Sequence, residues 1–493
     1  MGTYEEFNQY VERIENLNEV MGVLHWDQEV MMPEGGINAR AMQFSVLSTM
    51  RHELIVDNKL SGLIEEMSKY GGEEERSIHR EIKRMHERAM LIPTELIKEL
   101  SQLTTRSFPM WVEAKRKSDF KHFEGMLQLL IEKKCEMANC IDSNADPYNV
   151  LVQDYEPYLS LSSIEEILVN LKESLVPLIK KIREEGEDIK ETLEGNFDLQ
   201  NQKFLSEDVL NLLGYDWSRG RLDMSPHPFS MGNVFDSRIT TRFEGENFVD
   251  GLLSTIHEFG HALYTLSLPS EHYGTPLCGD MGMIIHESQS RFWENHIGKS
   301  LAFWEEILPT VRSRFPKMEF GSPERVYKMV NRVKLDNPIR VNADELTYHL
   351  HIIIRYEIES ALIRGELQVS EIPAVWNEKM EKYLGITPEN DSVGCLQDIH
   401  WSHGSFGYFP TYSVGSILAA QISHHIEQEV GDIGELIRSG DYQYLKNWLG
   451  ENIHKHGGKY TTPELIKKAV GEDIKIDYFV GYINRKYAEI YEI

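Results

Sequence analysis

The chain has 493 residues, 41% apolar and 26% charged side chains, and a formal net charge of −28. That length secures a sizeable core, as one large enzyme or about two to four average domains. The acidic excess sets the summed field against a phosphate backbone or an anionic bilayer, so neither a nucleic-acid nor a membrane partner is expected.

The first twenty residues carry five acidic side chains and no unbroken apolar run, unlike a secretory or transit leader. No later stretch approaches the roughly 18 consecutive apolar residues of a membrane span. Helical periodicity is predicted over Tyr4–Met21, Ser77–Met90 and Glu124–Ala138. It continues in Ile164, Leu168, Leu171, Leu175 and Leu178, with Ser162 and Glu165 as a capping box. Breaks are expected at Gly71-Gly72, Pro93, Pro109, Pro226–Pro228 and Gly457-Gly458, and the acidic stretch Glu184–Asn201 reads as an exposed loop or a solvated helix face. Val234–Phe243 alternates and is rich in Ile, Thr and Phe, which predicts a strand. Glu345–Arg364 and Thr411–Val430 are again helical. No repeat or low-complexity linker divides the chain, so the expectation is a mostly α fold with a small sheet, as one unit over 1–493. Cys135, Cys140, Cys278 and Cys395 form no C-x-x-C pair. They read as buried small hydrophobes, and the cytoplasm is the expected compartment.

The chemistry concentrates after the strand. Phe248–Tyr264 is a helix candidate with Phe248, Leu252, Ile256, Phe259 and Leu263 along one stripe, and it contains His257-Glu258-Phe259-Gly260-His261. Residues four apart on a helix share a face at about 5–6 Å between Cβ atoms. Two imidazoles can therefore meet one zinc, with Glu258 within reach of its water. Two helical histidines satisfied by hydrogen bonds would give the same five residues. A third ligand decides between these readings. No histidine follows at the short spacing, since positions 264 and 267 are Tyr264 and Ser267. The next helical stretch, Met281–Asn295, bears His286-Glu287-Ser288-Gln289. On the residues alone, Glu287 stays open between a ligand and a solvated helix position.

Further motifs span most of the chain. They are Leu24-His25-Trp26-Asp27-Gln28, Met31-Met32-Pro33, His227-Pro228-Phe229, Asp236-Ser237-Arg238-Ile239-Thr240, Ile339-Arg340-Val341-Asn342-Ala343-Asp344 and Gly394-Cys395-Leu396-Gln397-Asp398-Ile399-His400-Trp401. Together with the histidine helix and His286–Gln289, this set resembles the carboxypeptidase Taq family of zinc metallocarboxypeptidases. The resemblance implies a largely helical fold with a deep cleft covered by N-terminal helices, and a homodimer. It also implies Glu287 as third zinc ligand and broad removal of C-terminal amino acids from peptides with a free C-terminus.

Zinc, or cobalt or manganese in its place, one per subunit, would lower the pKa of water from about 15.7 towards about 7. Glu258 would take that proton and return it to the leaving amine. The tetrahedral intermediate needs a further donor. Candidates are Tyr412 first, by analogy with related helical zinc peptidases, then Tyr408 and His400, with His403 nearby for substrate; each also fits a packed cleft wall. Arg238 and Arg340 are candidates for pairing with the terminal carboxylate, against ordinary ion pairs with Asp236 or Asp344. Asp344 is alternatively an orienting group for a ligand or an arginine. The strand Val234–Phe243, if at a sheet edge, could hold peptide backbone. His349, His351, His424 and His425 read as structural, and Trp26 and Trp401 as core or cleft wall. Competing functions are an endo-oligopeptidase or dipeptidyl-type peptidase of the same class and a non-catalytic zinc-binding helical protein; the latter has no use for Glu258.

Overall fold

The computed structural model describes residues 2–493. The apolar stripes account for its helices directly. In Leu161–Glu185, Ile164, Leu168, Leu171, Leu175 and Leu178 are all buried, each worth about 1.5–3 kcal/mol by transfer from water. This helix starts earlier than the capping-box reading: Ser160 is the N-cap and accepts from the Ser163 N–H. Glu165 instead pairs with Arg364 and accepts from the Tyr356 hydroxyl, both at 2.8 Å. Pro109 does not break the chain either, because it lies inside helix Thr94–Lys117. It sits on the exposed face, where water can satisfy the carbonyl one turn back that its missing N–H leaves free.

The main core runs from Leu96 to Tyr491, and a smaller one lies among the N-terminal helices. Phe7, Val11 and Ile14 of Thr3–Val30 pack there with Leu60 of Asn58–Met67 and Ile78 of Glu73–Leu91. Polar groups join this layer to the body: Ser77 and Arg80 donate to the carbonyls of Lys459 and Gly458, and Arg88 pairs with Asp154 at 2.6 Å. Among the described residues no helix is long and apolar enough to cross a membrane. The four cysteines are unpaired; Cys395 is buried, while the other three are only half-buried.

The acidic stretch is the tail of Leu161–Glu185 followed by a loop up to helix Leu199–Leu213. The sheet has three short strands, β1 (Leu222–Met224), β2 (Ser230–Asn233) and β3 (Asp236–Thr241), in the order β1-β3-β2. β1 runs parallel and β2 antiparallel to β3. The predicted single strand Val234–Phe243 is thus a hairpin turn plus β3. Asn233 Oδ1 accepts from the N–H groups of Phe235 and Asp236 and closes the turn. Gly232 is required there: its φ is +137°, and a Cβ would lie 1.8 Å from the Asp236 carbonyl oxygen. Since β3 is the central strand, its backbone is already paired on both sides, and the expected peptide addition at this strand does not hold.

Candidate active site

Helix Val249–Leu266 has two chemical faces. Leu252, Ile256 and Phe259 enter the main core, and from the other side His257 and His261 project with ring centroids 4.9 Å apart. Two glycines set how closely the neighbouring helices approach. A Cβ on Gly260 would lie 2.6 Å from the Gln289 carbonyl oxygen and from Ser290 Cα, and one on Gly415 would lie 2.7 Å from Glu287 Cβ. Helix Met283–Arg291 is thereby wedged against the histidine helix on one side and against helix Phe409–Val430 on the other. This wedge carries Glu287 to the histidines: its Oε2 is 3.7 Å from His257 Nε2 and 3.4 Å from His261 Nε2.

The three donor atoms lie within 4.8 Å of one another, the one such set of three or more among the described residues. Two imidazoles and a carboxylate around a common point fit a divalent metal with an open coordination position. Beside them Glu258 is buried, and its Oε2 has no hydrogen-bond partner. Such an orphaned oxygen is expensive in a folded interior unless a ligand supplies a donor. Burial pushes the Glu258 carboxyl up to about 7, the range suited to proton transfer near neutrality.

Charge is arranged around the donors in a second layer. Glu294 Oε2 lies 2.8 Å from His257 Nδ1, which leaves Nε2 for a metal. His261 Nδ1 lies 2.5 Å from His286 Nδ1. Arg291 bridges Glu287 at 2.6 Å and Glu294 at 3.0 Å, and Lys299 reaches Glu294 at 2.8 Å. Burial opposes the charge of Glu287, but Arg291 and the two imidazoles outweigh it and hold the carboxyl well below the usual carboxylate range. Glu294 is held down in the same way, by Lys299 and Arg291 against burial. Sequence reasoning passed over Glu294 and Arg291. The signal was there, because 287, 291 and 294 are spaced i, i+4, i+7 on one helical face.

The remaining candidates separate into two groups. Tyr412 and Arg340 line the same cavity of about 440 Å³ as His257 and Glu258. Tyr408 meets Tyr412 edge-on at 5.0 Å, and His400 Nε2 lies 3.3 Å from the Tyr412 hydroxyl. Burial pushes His400 down to about 3, so its imidazole is neutral at ordinary pH. Arg340 is buried and held by Asp398 at 2.9 Å, with the Tyr348 hydroxyl at 3.3 Å. Its expected alternative partner, Asp344, does not pair with it. Asp344 accepts from the backbone N–H groups of Lys334, Leu346 and Thr347 and serves as a turn and helix-start acceptor.

Arg238 and His403 stand outside that group. Arg238 pairs with Asp236 at 2.6 Å and stacks 4.4 Å over the Trp26 ring, tying β3 to the first helix. His403 is exposed and lies against Phe108 at 5.6 Å. His349 donates to or accepts from Ser413 Oγ at 3.0 Å, and His351 is buried, both in the body of helix Tyr348–Arg364. The Trp401 indole donates to Glu359 at 3.1 Å.

Fold and site together are those of a helical metallopeptidase. The family described as carboxypeptidase Taq (M32) metallopeptidase matches residues 6–487. Thermostable carboxypeptidase 1 of Pyrococcus furiosus is 40% identical over 486 residues, 96% of each chain. Carboxypeptidase 1 of Bacillus subtilis is 35% identical over 496 residues, 99% of each. The solved Pyrococcus furiosus carboxypeptidase structure described as Apo-Mg superposes with a TM-score of 0.96 at 38% identity, covering 99% of both chains. Trypanosoma cruzi metallocarboxypeptidase 1 does so with 0.94 at 35% identity, covering 98% of this chain and 99% of that one. The chain belongs to the carboxypeptidase Taq family and is a metallocarboxypeptidase.

Proposed function

We propose that the protein is a zinc carboxypeptidase of broad specificity, with His257, His261 and Glu287 as metal ligands and Glu258 as general base. The observation that carries this reading is the convergence of those three donors within 4.8 Å beside the partnerless Glu258 oxygen. When bound, the metal supplies Lewis acidity toward the scissile carbonyl and acidifies water. Glu258 takes a proton at Oε2 as water adds to the carbonyl carbon and delivers it to the amine as the C–N bond breaks. Tyr412, oriented by neutral His400 and flanked by Tyr408, donates a hydrogen bond from its hydroxyl to the developing oxyanion. Arg340 holds the terminal carboxylate of the substrate, already aimed by Asp398 and Tyr348. Arg238 and His403 are left with structural work, an ion pair and a ring contact.

The N-terminal helices have a separate core and reach the sheet beside the site through Trp26 over Arg238, which supports reading them as the cover of this cleft. Exposed Met42 and Val46 on helix Ile37–Ile55 support association into a homodimer. Unpaired cysteines support the cytoplasm as its compartment.

The test is product mass spectrometry on one peptide and its C-terminally amidated twin, with wild type, Glu258→Gln and chelated enzyme. Stepwise loss of single C-terminal residues from the free peptide alone is expected. It should be abolished by the chelator and reduced about 10²- to 10⁴-fold by the substitution. Equal cleavage of the amidated peptide would refute exopeptidase action.

A further inference from the structure

Helix Tyr348–Arg364 carries a carboxylate that the chemistry above does not use. Glu359 is fully buried, and it makes no ion pair, since the nearby Arg355 is committed to Asp398 and to the His351 carbonyl. A buried carboxylate without a counter-charge is a liability unless its oxygens are fully used. They are. Oε1 accepts from the Tyr148 hydroxyl at 2.5 Å and from the Gly407 N–H at 3.1 Å, and Oε2 accepts from the Trp401 indole at 3.1 Å.

Two of those donors bracket the segment that presents the oxyanion groups. Trp401 follows His400, and Gly407 precedes Tyr408. Gly407 has a φ of +91°, and a Cβ there would lie 2.8 Å from the Val152 backbone nitrogen, so the segment is pressed onto helix Pro147–Val152. The third donor, Tyr148, comes from that same helix. The carboxylate therefore clamps both ends of the 401–407 loop to two helices at a single point. From there the loop runs directly into helix Phe409–Val430, where Tyr412 lies in the first turn.

We propose that Glu359 is a positioning residue for the reaction, a buried brace that fixes the 400–408 segment and through it the hydroxyls of Tyr408 and Tyr412. The proposal rests on the reading of Tyr412 and Tyr408 as oxyanion donors. Each carboxyl oxygen faces one N–H group, Gly407 at Oε1 and Trp401 at Oε2, which fixes both ends of the loop in distance and direction. Glutamine in the same place has only one acceptor oxygen for two N–H groups that both need one, so one end of the loop is released.

The test is a kinetic double-mutant cycle on the metal-loaded enzyme with an N-blocked dipeptide substrate, combining Glu359→Gln with Tyr412→Phe. Glu359→Gln is expected to lower kcat about tenfold or more, in line with the cost of a displaced catalytic group. KM and metal content should stay at wild-type levels. In the Tyr412→Phe background the same substitution should cost less than about threefold, because groups acting as a unit are not additive. An equal loss in both backgrounds, an unchanged kcat or a loss of bound metal overturns the brace. If Glu359→Gln does not fold, Trp401→Phe removes a single donor and is read by the same criteria. A Tyr412→Phe variant with wild-type kcat sinks the donor reading at Tyr412 independently, and the cycle is then run on Tyr408→Phe. Coupling to neither tyrosine overturns the proposal.

Discussion

Replacing Gly260 with alanine adds one methyl group between the helix that bears the histidines and the helix that bears Glu287. The added carbon would lie 2.6 Å from both the Gln289 carbonyl oxygen and Ser290 Cα, which are backbone atoms of the facing helix. Ordinary contact lies near 3.5–4.0 Å, so helix Met283–Arg291 must retreat by roughly 1 Å. It cannot retreat freely, because Gly415 packs against Glu287 from the far side, so closely that a Cβ there would lie 2.7 Å from Glu287 Cβ. Overpacking of this kind costs about 1–3 kcal/mol. The functional effect is larger than the stability loss suggests. Ligand bonds of about 2.0–2.2 Å tolerate little displacement, so metal affinity should fall by about one to two orders of magnitude. Competition with a chromogenic chelator measures the affinity, and thermal melting of the metal-free protein measures the strain. Gly62→Ala is the control: it lies inside helix Asn58–Met67 with nothing within 4 Å of the added carbon, and it should be neutral or stabilising by up to about 1 kcal/mol. A Gly260→Ala protein that binds metal and melts like wild type would refute the close-packing argument.

Glu294→Gln should weaken metal binding by about 10- to 100-fold, because it withdraws the charged partner of His257 Nδ1; unchanged affinity in the chelator assay contradicts this. Arg340→Lys should raise KM for free-C-terminus substrates by about ten- to a hundredfold by losing the paired donor geometry; the check is a KM series on a blocked dipeptide, and an unchanged KM rules Arg340 out. Glu156 is fully buried and accepts from the Thr462 hydroxyl and the Ile284 N–H. Burial raises its carboxyl from 4.5 to about 7. The native state therefore holds this proton more tightly than the unfolded chain, so stability is fully present below about pH 4.5 and declines through about pH 7. The decline approaches about 3.5 kcal/mol, at about 1.4 kcal/mol per pH unit. Glu156→Gln should lack it, so its denaturation midpoint relative to wild type rises between pH 5 and pH 8. The same difference at both values would contradict the assignment.

The helices were readable because their apolar residues repeat with the period of the structure, as in Leu168, Leu171 and Leu175. The histidine pair was readable for the same reason, since four-residue spacing fixes a shared face. What escaped depends on contacts distant in the chain. Nothing local in Asp236–Thr241 reveals that β1 and β2 flank it on both sides. Nor does the local sequence reveal that Arg340 finds Asp398, 58 residues on, when Asp344 is the nearer acid. Arg238 sits in a motif that suggests chemistry, yet its guanidinium meets Asp236 and the Trp26 ring, since shared motif membership carries no distance. An isolated helical glutamate such as Glu359 gives no sign of burial in the sequence; only the fold brings Tyr148, Trp401 and Gly407 onto it.

The central claim is that a catalytic divalent ion is held by two imidazoles from one helix and a carboxylate from the next. Anomalous diffraction from crystals of the zinc-loaded protein, collected on both sides of the zinc absorption edge, tests it most directly. One peak is expected, about 2.0–2.2 Å from His257 Nε2, His261 Nε2 and a Glu287 oxygen. A fully active protein whose only zinc peak lay away from those three side chains would contradict the account.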